Sequence, residues 1–164
     1  MDEMGDLWLQ VLTRDGRDLA TLNREVRQKM VSEDIVGYET LIGAAPSDSA
    51  LHDDVAMLYL EVGRADNAAA HFEASVGVKP QSAGAHFNLG TALSVAGRFE
   101  EAIREYQRAL EIRPDYANAH NNLGKILETL GKVDEAIRHY REALRIDPHH
   151  AQARYNLAHV DRNR

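Results

Sequence analysis

Histidines are the side chains of this 164-residue chain that could most readily bind a metal ion or transfer a proton. Three of the eight recur at a constant step of 34 residues, and they are His52, His86 and His120. Packed helices lie about 8–10 Å apart, whereas each ligand of a zinc ion lies about 2 Å from it. Histidines repeated on successive helical units cannot therefore share one ion. They are predicted to be partly buried packing residues, and no metal site is expected.

The sequence also lacks the residue combinations that support catalysis. It has no glycine-rich phosphate loop, no zinc-protease histidine motif and no nucleophile elbow. It has no cysteine, which excludes disulfides and thiolate nucleophiles. Acidic pairs such as Glu100 and Glu101 precede apolar helical patterns, where they favour the helix dipole. We therefore expect no catalytic site and no cofactor.

The charge balance restricts the class of partner. The chain has 26 acidic and 19 basic residues, giving a net charge of −7. Proteins that bind nucleic acid need a basic face to displace counterions from phosphates, so no nucleic-acid partner is expected. No run of about 18 apolar residues is present, so membrane insertion is not expected. The N-terminus lacks the pattern of a secretory signal, which favours a cytoplasmic location for the chain as given.

A 34-residue repeat in the sequence predicts the helices that would position these residues. All four prolines follow it, and they are Pro46, Pro80, Pro114 and Pro148. Apolar residues within a unit recur at three- and four-residue steps, which is helical spacing. Gly97 separates two such patterns where a turn is needed, and Pro114 ends the second pattern. The sequence therefore predicts an all-α solenoid of stacked antiparallel helix pairs.

This pattern closely resembles the tetratricopeptide repeat (TPR) family, which has the same period. The resemblance is firm over residues 49–150 and implies a right-handed superhelix with a concave inner surface that binds other proteins. The predicted division is an N-terminal extension at 1–14, a degenerate capping helical hairpin at 15–48, TPR units at 49–82, 83–116 and 117–150, and a C-terminal capping helix at 151–164. The hairpin is predicted to pair helices over 18–30 and 34–45.

The first dozen residues do not follow the repeat. The stretch "DEMGDLWLQVL" resembles the closing strand of copper type II, ascorbate-dependent monooxygenases of the peptidylglycine-hydroxylating kind, in which Met4 would correspond to a copper ligand. The rest of such a domain is absent, so Met4 alone could not hold copper. The resemblance implies a fragment of an exported bacterial enzyme with a TPR tail. The alternative is a helical segment that buries Leu7, Trp8 and Val11.

First helices line the inner surface of a TPR stack, so their non-core residues are the candidate binding site. One slot carries Asn88, Asn122 and Asn156, with Asp54 in the first clear unit. An amide offers a donor and an acceptor together, which suits the backbone of an extended peptide. The array resembles the asparagine ladder of O-linked N-acetylglucosamine transferase; alternatively, these amides bond within the repeat. The neighbouring candidates are Phe87, Asn121, Tyr155, Thr91 and Lys125.

The predicted function is therefore a non-catalytic scaffold that binds an extended peptide or a partner helix in the concave groove. The slots do not match the two-carboxylate clamp of chaperone-binding TPRs, which needs lysine and arginine at defined positions. This sequence has Asp53, Asn118 and Asn122 there, and only Asn88 agrees. Two alternatives stay open. One is self-association through the ends of the stack, and the other is an accessory tail of a copper-dependent monooxygenase.

Overall fold

The computed structural model describes the backbone of residues 19–162 and the side chains of residues 31–162. This part of the chain is helical and contains no strand, which confirms the predicted all-α solenoid. None of its helices is both long and apolar enough to cross a membrane. In chain order the helices are α1 Leu19–Ala44, α2 Ser49–Glu61, α3 Ala65–Val78, α4 Ala83–Val95, α5 Phe99–Ile112, α6 Ala117–Thr129, α7 Val133–Ile146 and α8 Ala151–Arg162.

Within each helix pair the chain turns on a glycine in the left-handed conformation. Gly97 has a φ of 78°, and Gly63 and Gly131 each have a φ of 75°. The Gly97 N–H donates to the Ser94 carbonyl at 3.1 Å, and the Arg98 N–H donates to the Leu93 carbonyl at 2.9 Å. These two bonds form a Schellman motif, which ends the first helix and sends the chain back along it.

The loops between pairs end one unit and begin the next. Each first helix, α2, α4, α6 or α8, starts three residues after a proline. The Asp48 side chain caps α2 by accepting from the Ala50 N–H at 2.9 Å, and Ser82 Oγ caps α4. At the same position of the last unit, His150 Nδ1 accepts from the Ala153 N–H at 3.2 Å. The repeat therefore sets where each first helix begins.

The core is built on one aromatic slot of the second helices. Phe72, Tyr106 and Tyr140 fill it in successive units, and all three are buried. Gly124 lies directly against the Tyr140 ring, and Gly90 lies against the Tyr106 ring in the same way. The absence of a side chain at these glycines lets the two helices of a unit approach closely.

The N-terminal region differs from the predicted capping hairpin. The structure has one continuous helix, α1, where the sequence pattern predicts two helices over 18–30 and 34–45. The intervening residues 31–33 contain neither glycine nor proline, so the backbone has no signal to stop. Val31 and Ile35 are buried one helical turn apart, and α1 packs against α2. Residues 1–18, which include the predicted extension and Met4, and residues 163–164 lie outside the described part.

Candidate functional site

The first helices α4, α6 and α8 form a continuous wall on one side of the stack. α4 contacts α6, and α6 contacts α8, in addition to the contacts that each makes with its neighbouring second helices. Among the described helices, α3, α5 and α7 make no contacts of that extent with one another. The layer whose members lie closer together is the inner side of a curved stack, and such a surface is where repeat proteins bind ligands. Eight of the nine candidate residues lie on helices of this wall, and Asp54 lies on α2, which makes no contact of that extent with α4.

The four residues of the predicted asparagine slot are accessible to solvent at one end of the stack and buried at the other. Asp54 is exposed, and Asn88 is half-buried with no side-chain hydrogen bond to another described residue. Asn122 Nδ2 donates to Tyr106 Oη over a long 3.4 Å, and its Oδ1 accepts from Asn121 Nδ2 at 3.1 Å. Asn156 is only 8% exposed. The four positions are therefore equivalent in sequence but not in accessibility.

Two of the predicted binding residues need correction. Asn121 is 4% exposed, and its Oδ1 accepts from Asn156 Nδ2 at 3.0 Å. The Asn156 Oδ1 in turn accepts from Gln152 Nε2 at 3.1 Å. Buried amides must find partners, and these two find each other across the contact between α6 and α8. Asn121 and Asn156 therefore join the last helix to the stack and are not open to a ligand.

A chain of hydroxyl groups lies behind the open part of the wall. Thr91 Oγ1 donates to the Phe87 carbonyl at 2.9 Å, so the Tyr106 hydroxyl, 3.1 Å away, donates to Thr91 Oγ1 and accepts from Asn122. Burial raises the pKa of Tyr106, although the bond donated by Asn122 opposes this shift, so the hydroxyl keeps its proton. The buried Tyr106 hydroxyl thus holds Thr91 of α4 and Asn122 of α6 in place.

The remaining candidates present apolar and charged surface. The half-buried Phe87 ring packs 4.8 Å from Tyr116 and 5.8 Å from Tyr106, measured between ring centroids. Lys125 is exposed one turn beyond Asn121. Tyr155 is 62% exposed and stacks on His159 at the far end of the wall. The open surface therefore comprises Asp54, Asn88, Phe87, Thr91, Asn122 and Lys125, with Tyr155 standing apart.

Comparison with protein-family models matches residues 81–149 to the tetratricopeptide repeat. These residues are tetratricopeptide repeats. The match spans the pairs α4–α5 and α6–α7, which carry most of the open surface. We refer below to α2–α3, α4–α5 and α6–α7 as units 1, 2 and 3. No curated protein matches the chain.

Solved TPR structures share this fold. A crystal structure of MamA is 23% identical, covers 90% of this chain and 85% of its own, and superposes with a TM-score of 0.76. A second MamA crystal structure gives 23% identity, 84% and 75% coverage and a TM-score of 0.74. The first TPR of Spaghetti (RPAP3), bound to the HSP90 peptide SRMEEVD, gives 19% identity, 70% and 91% coverage and a TM-score of 0.67. These likenesses establish the fold.

The histidines of units 1, 2 and 3 form pairs that the 34-residue step does not reveal. His52 Nδ1 lies 3.1 Å from His71 Nδ1, and His120 Nδ1 lies 3.0 Å from His139 Nδ1. In unit 2 the partner is a carboxylate instead, since His86 Nδ1 lies 2.7 Å from an oxygen of Glu105. Each pair spans 19 residues across the turn, a spacing that could have been read from the sequence. No group of three or more potential metal ligands occurs among residues 31–162, whose side chains the structure describes.

A second set of bonds, from tyrosines to carboxylates, was also missed by the sequence reasoning. Tyr140 Oη donates to Glu128 at 2.6 Å within unit 3, and Tyr59 Oη donates to Glu39 of α1 at 2.9 Å. Burial raises the pKa of Tyr140, and the neighbouring Glu128 carboxylate raises it further. Glu39 also lies 3.1 Å from His71 Nε2, so it ties α1 to both helices of unit 1.

Proposed function

We propose that this chain is a non-catalytic interaction scaffold that binds an extended peptide segment of another protein along the wall of first helices and the adjoining α2, from Asp54 to Lys125. The observation that carries the proposal is the Asn88 amide, which is half-buried on that wall without a side-chain hydrogen bond to another described residue. The Asn88 side-chain atoms are not among the buried polar atoms without a partner, so the amide is open to solvent and can donate to and accept from a ligand.

An extended peptide suits the site better than a helix does. The backbone of an extended segment exposes N–H and C=O groups in alternation, and the Asn88 side chain can satisfy one of each. The backbone of a helix is already satisfied internally, apart from its ends. Phe87 adds an apolar contact of the kind that is enriched in interfaces. Asp54 and Lys125 place opposite charges toward the two ends of the open surface, which favours one direction of the peptide.

The RPAP3 TPR supports the idea that this fold can hold a peptide, because that structure contains one. The sequence of the ligand must differ here. Asp53 and Asn118 occupy slots where the carboxylate clamp needs other residues, and Asn118 is engaged by His150 Nε2 at 2.9 Å. We therefore expect no tight binding of peptides that end in Glu-Glu-Val-Asp.

The test uses a peptide selected from a random display library against the whole chain. Replacing Asn88 and Asn122 together with alanine should weaken its binding by about tenfold or more, since each lost hydrogen bond is worth about 1 kcal/mol. Isothermal titration calorimetry measures the affinity, and circular dichroism checks that thermal unfolding stays cooperative. The matched control is Gln107→Ala, an exposed amide on α5 whose removal should leave affinity unchanged. An unchanged affinity in the double variant would refute the groove assignment.

Self-association through an end of the stack is a second candidate. Val36 is 66% exposed and Leu41 is 53% exposed, and both lie on α1. Large exposed apolar residues on this first described helix are the observation that favours it, because exposed apolar surface can pack against another molecule. Light scattering over a concentration series distinguishes the candidates, because a strict monomer at every concentration removes this one.

A further inference from the structure

The three units carry the same first-helix histidine but differ in what it faces. His52, His86 and His120 each place Nε2 within 3.0–3.2 Å of the carbonyl oxygen of the preceding proline. A carbonyl only accepts hydrogen bonds, so Nε2 must carry the proton in every unit. The protonation of each pair is therefore decided at Nδ1, where unit 2 presents a carboxylate and units 1 and 3 present a second imidazole.

In unit 3 the bond between the rings exists only while at least one of the two Nδ1 atoms is unprotonated. Because its Nε2 holds the proton, neutral His120 has a lone pair at Nδ1, and His139 Nδ1–H donates to it over 3.0 Å. A single proton on His120 Nδ1 leaves a bond in place, because that N–H can donate to His139 Nδ1 while His139 carries its own proton on Nε2. Protonation of both rings would place two N–H groups face to face, so the bond would be replaced by repulsion between two donors and two positive charges.

In unit 2 protonation of the histidine strengthens the pair instead of separating it. A doubly protonated His86 donates to the Pro80 carbonyl at 3.1 Å and to Glu105 at 2.7 Å, so both nitrogens have acceptors. Such a bond between an imidazolium and a carboxylate is charge-assisted and stronger than a neutral one. In unit 1 the pair lies against a carboxylate as well, because Glu39 contacts His71 Nε2.

The surroundings of the unit 3 pair also disfavour positive charge. Burial lowers the pKa of His139, and His120 and Arg138 lower it further, whereas Glu135 and Glu142 act in the opposite direction. The Glu142 carboxylate is itself bound by both nitrogens of Arg145 at 2.6–3.0 Å, which partly neutralises it.

Helix α5 contributes one further carboxylate to these surroundings. Glu111, together with Gln107, borders the same small cavity as His139, and Glu111 is engaged by Arg108 at 2.8 Å. Two of the surrounding carboxylates, Glu142 and Glu111, thus already have cationic partners, in contrast to Glu105 of unit 2, which bonds its histidine directly.

We propose that His120 and His139 form an acid-sensitive latch, whose double protonation below about pH 6.5 separates α6 from α7 and opens unit 3 before unit 2. Once His120 carries the added proton, His139 binds a further proton less readily than a free histidine does, because burial and the neighbouring imidazolium oppose it. The pair's contribution to stability is therefore complete above the ordinary histidine range and is lost as the pH falls through and below that range. Since α6 carries Asn122 and Lys125, opening unit 3 would disrupt that end of the proposed groove.

Hydrogen exchange measured by mass spectrometry on the whole chain tests the latch without any ligand. Between about pH 7.5 and pH 5, after correction for intrinsic exchange rates, protection of α6 and α7 should fall about tenfold relative to α4 and α5, the factor that one pKa unit represents. His139→Glu gives unit 3 the pairing of unit 2 and should abolish the fall. Glu105→His gives unit 2 the pairing of unit 3 and should transfer the fall to α4 and α5.

The reciprocal design separates the latch from a general loss of stability in acid. Equal protection of α6 and α7 at both pH values in the wild type would overturn the proposal. A fall of the same size in His139→Glu would overturn it too, because the second imidazole would then be irrelevant. If Glu105→His does not fold, the wild type and His139→Glu still decide the matter.

Discussion

Replacing Tyr106 with alanine is expected to lower the free energy of unfolding by about 3–5 kcal/mol. The Tyr106 ring is 1% exposed and lies against Gly90 and Phe87, both on the first helix of the same unit. Removing it leaves a cavity that the surrounding helices can fill only in part. Urea denaturation followed by circular dichroism measures the change, with the slope of the transition checked for two-state behaviour.

The variant Tyr106→Phe separates the ring from its hydroxyl. It retains the packing and removes only the group that donates to Thr91 and accepts from Asn122. A cost of about 1 kcal/mol is expected, because a single buried hydrogen bond contributes about that much. If the phenylalanine and alanine variants were equally unstable, the core would depend on the hydroxyl network and not on the ring.

Replacing Gly124 with alanine is expected to cost about 1–3 kcal/mol, although alanine is the better helix former. A Cβ at this position would lie 2.8 Å from the Tyr140 ring and 3.2 Å from the Ala136 carbonyl oxygen, so α6 and α7 would have to separate. Thermal and urea unfolding of the variant measure the loss.

The control for Gly124 is a glycine with free space around it. Gly37 lies in the interior of α1, and a Cβ there would meet no atom within 4 Å. Gly37→Ala should therefore be neutral or stabilise the chain by about 0.5–1 kcal/mol, since alanine loses less backbone entropy in a helix. Stabilisation by both substitutions would mean that the helices of unit 3 do not pack as closely as the structure has them.

The period predicted most of the fold because each unit carries its own boundary residues. Gly97 and Pro114 mark where helices end for reasons of backbone geometry that do not depend on tertiary contacts. The N-terminal hairpin was the exception. Its prediction extended the helix-pair pattern into residues that lack any such boundary residue, and the helix continues through Val31, Ser32 and Glu33.

The candidate site could be predicted only in part, because equal positions in a repeat do not have equal neighbours. The Tyr106 hydroxyl bonds Thr91, whereas unit 3 has Lys125 in that slot and the Tyr140 hydroxyl turns to Glu128. Asn156 lies on the last helix, where it is buried against Asn121, whereas Asn88 stays open. The period identifies the slot, but the partners depend on residues that vary from one unit to the next.

The most direct test of the central claim is a map of NMR chemical-shift changes on titrating the selected peptide into the isotope-labelled chain. The account predicts that the largest changes fall on α2, α4 and the first half of α6, including the side-chain amide of Asn88, with small changes on α3, α5 and α7. Changes concentrated on the second helices, or an Asn88 amide that does not respond, would contradict it.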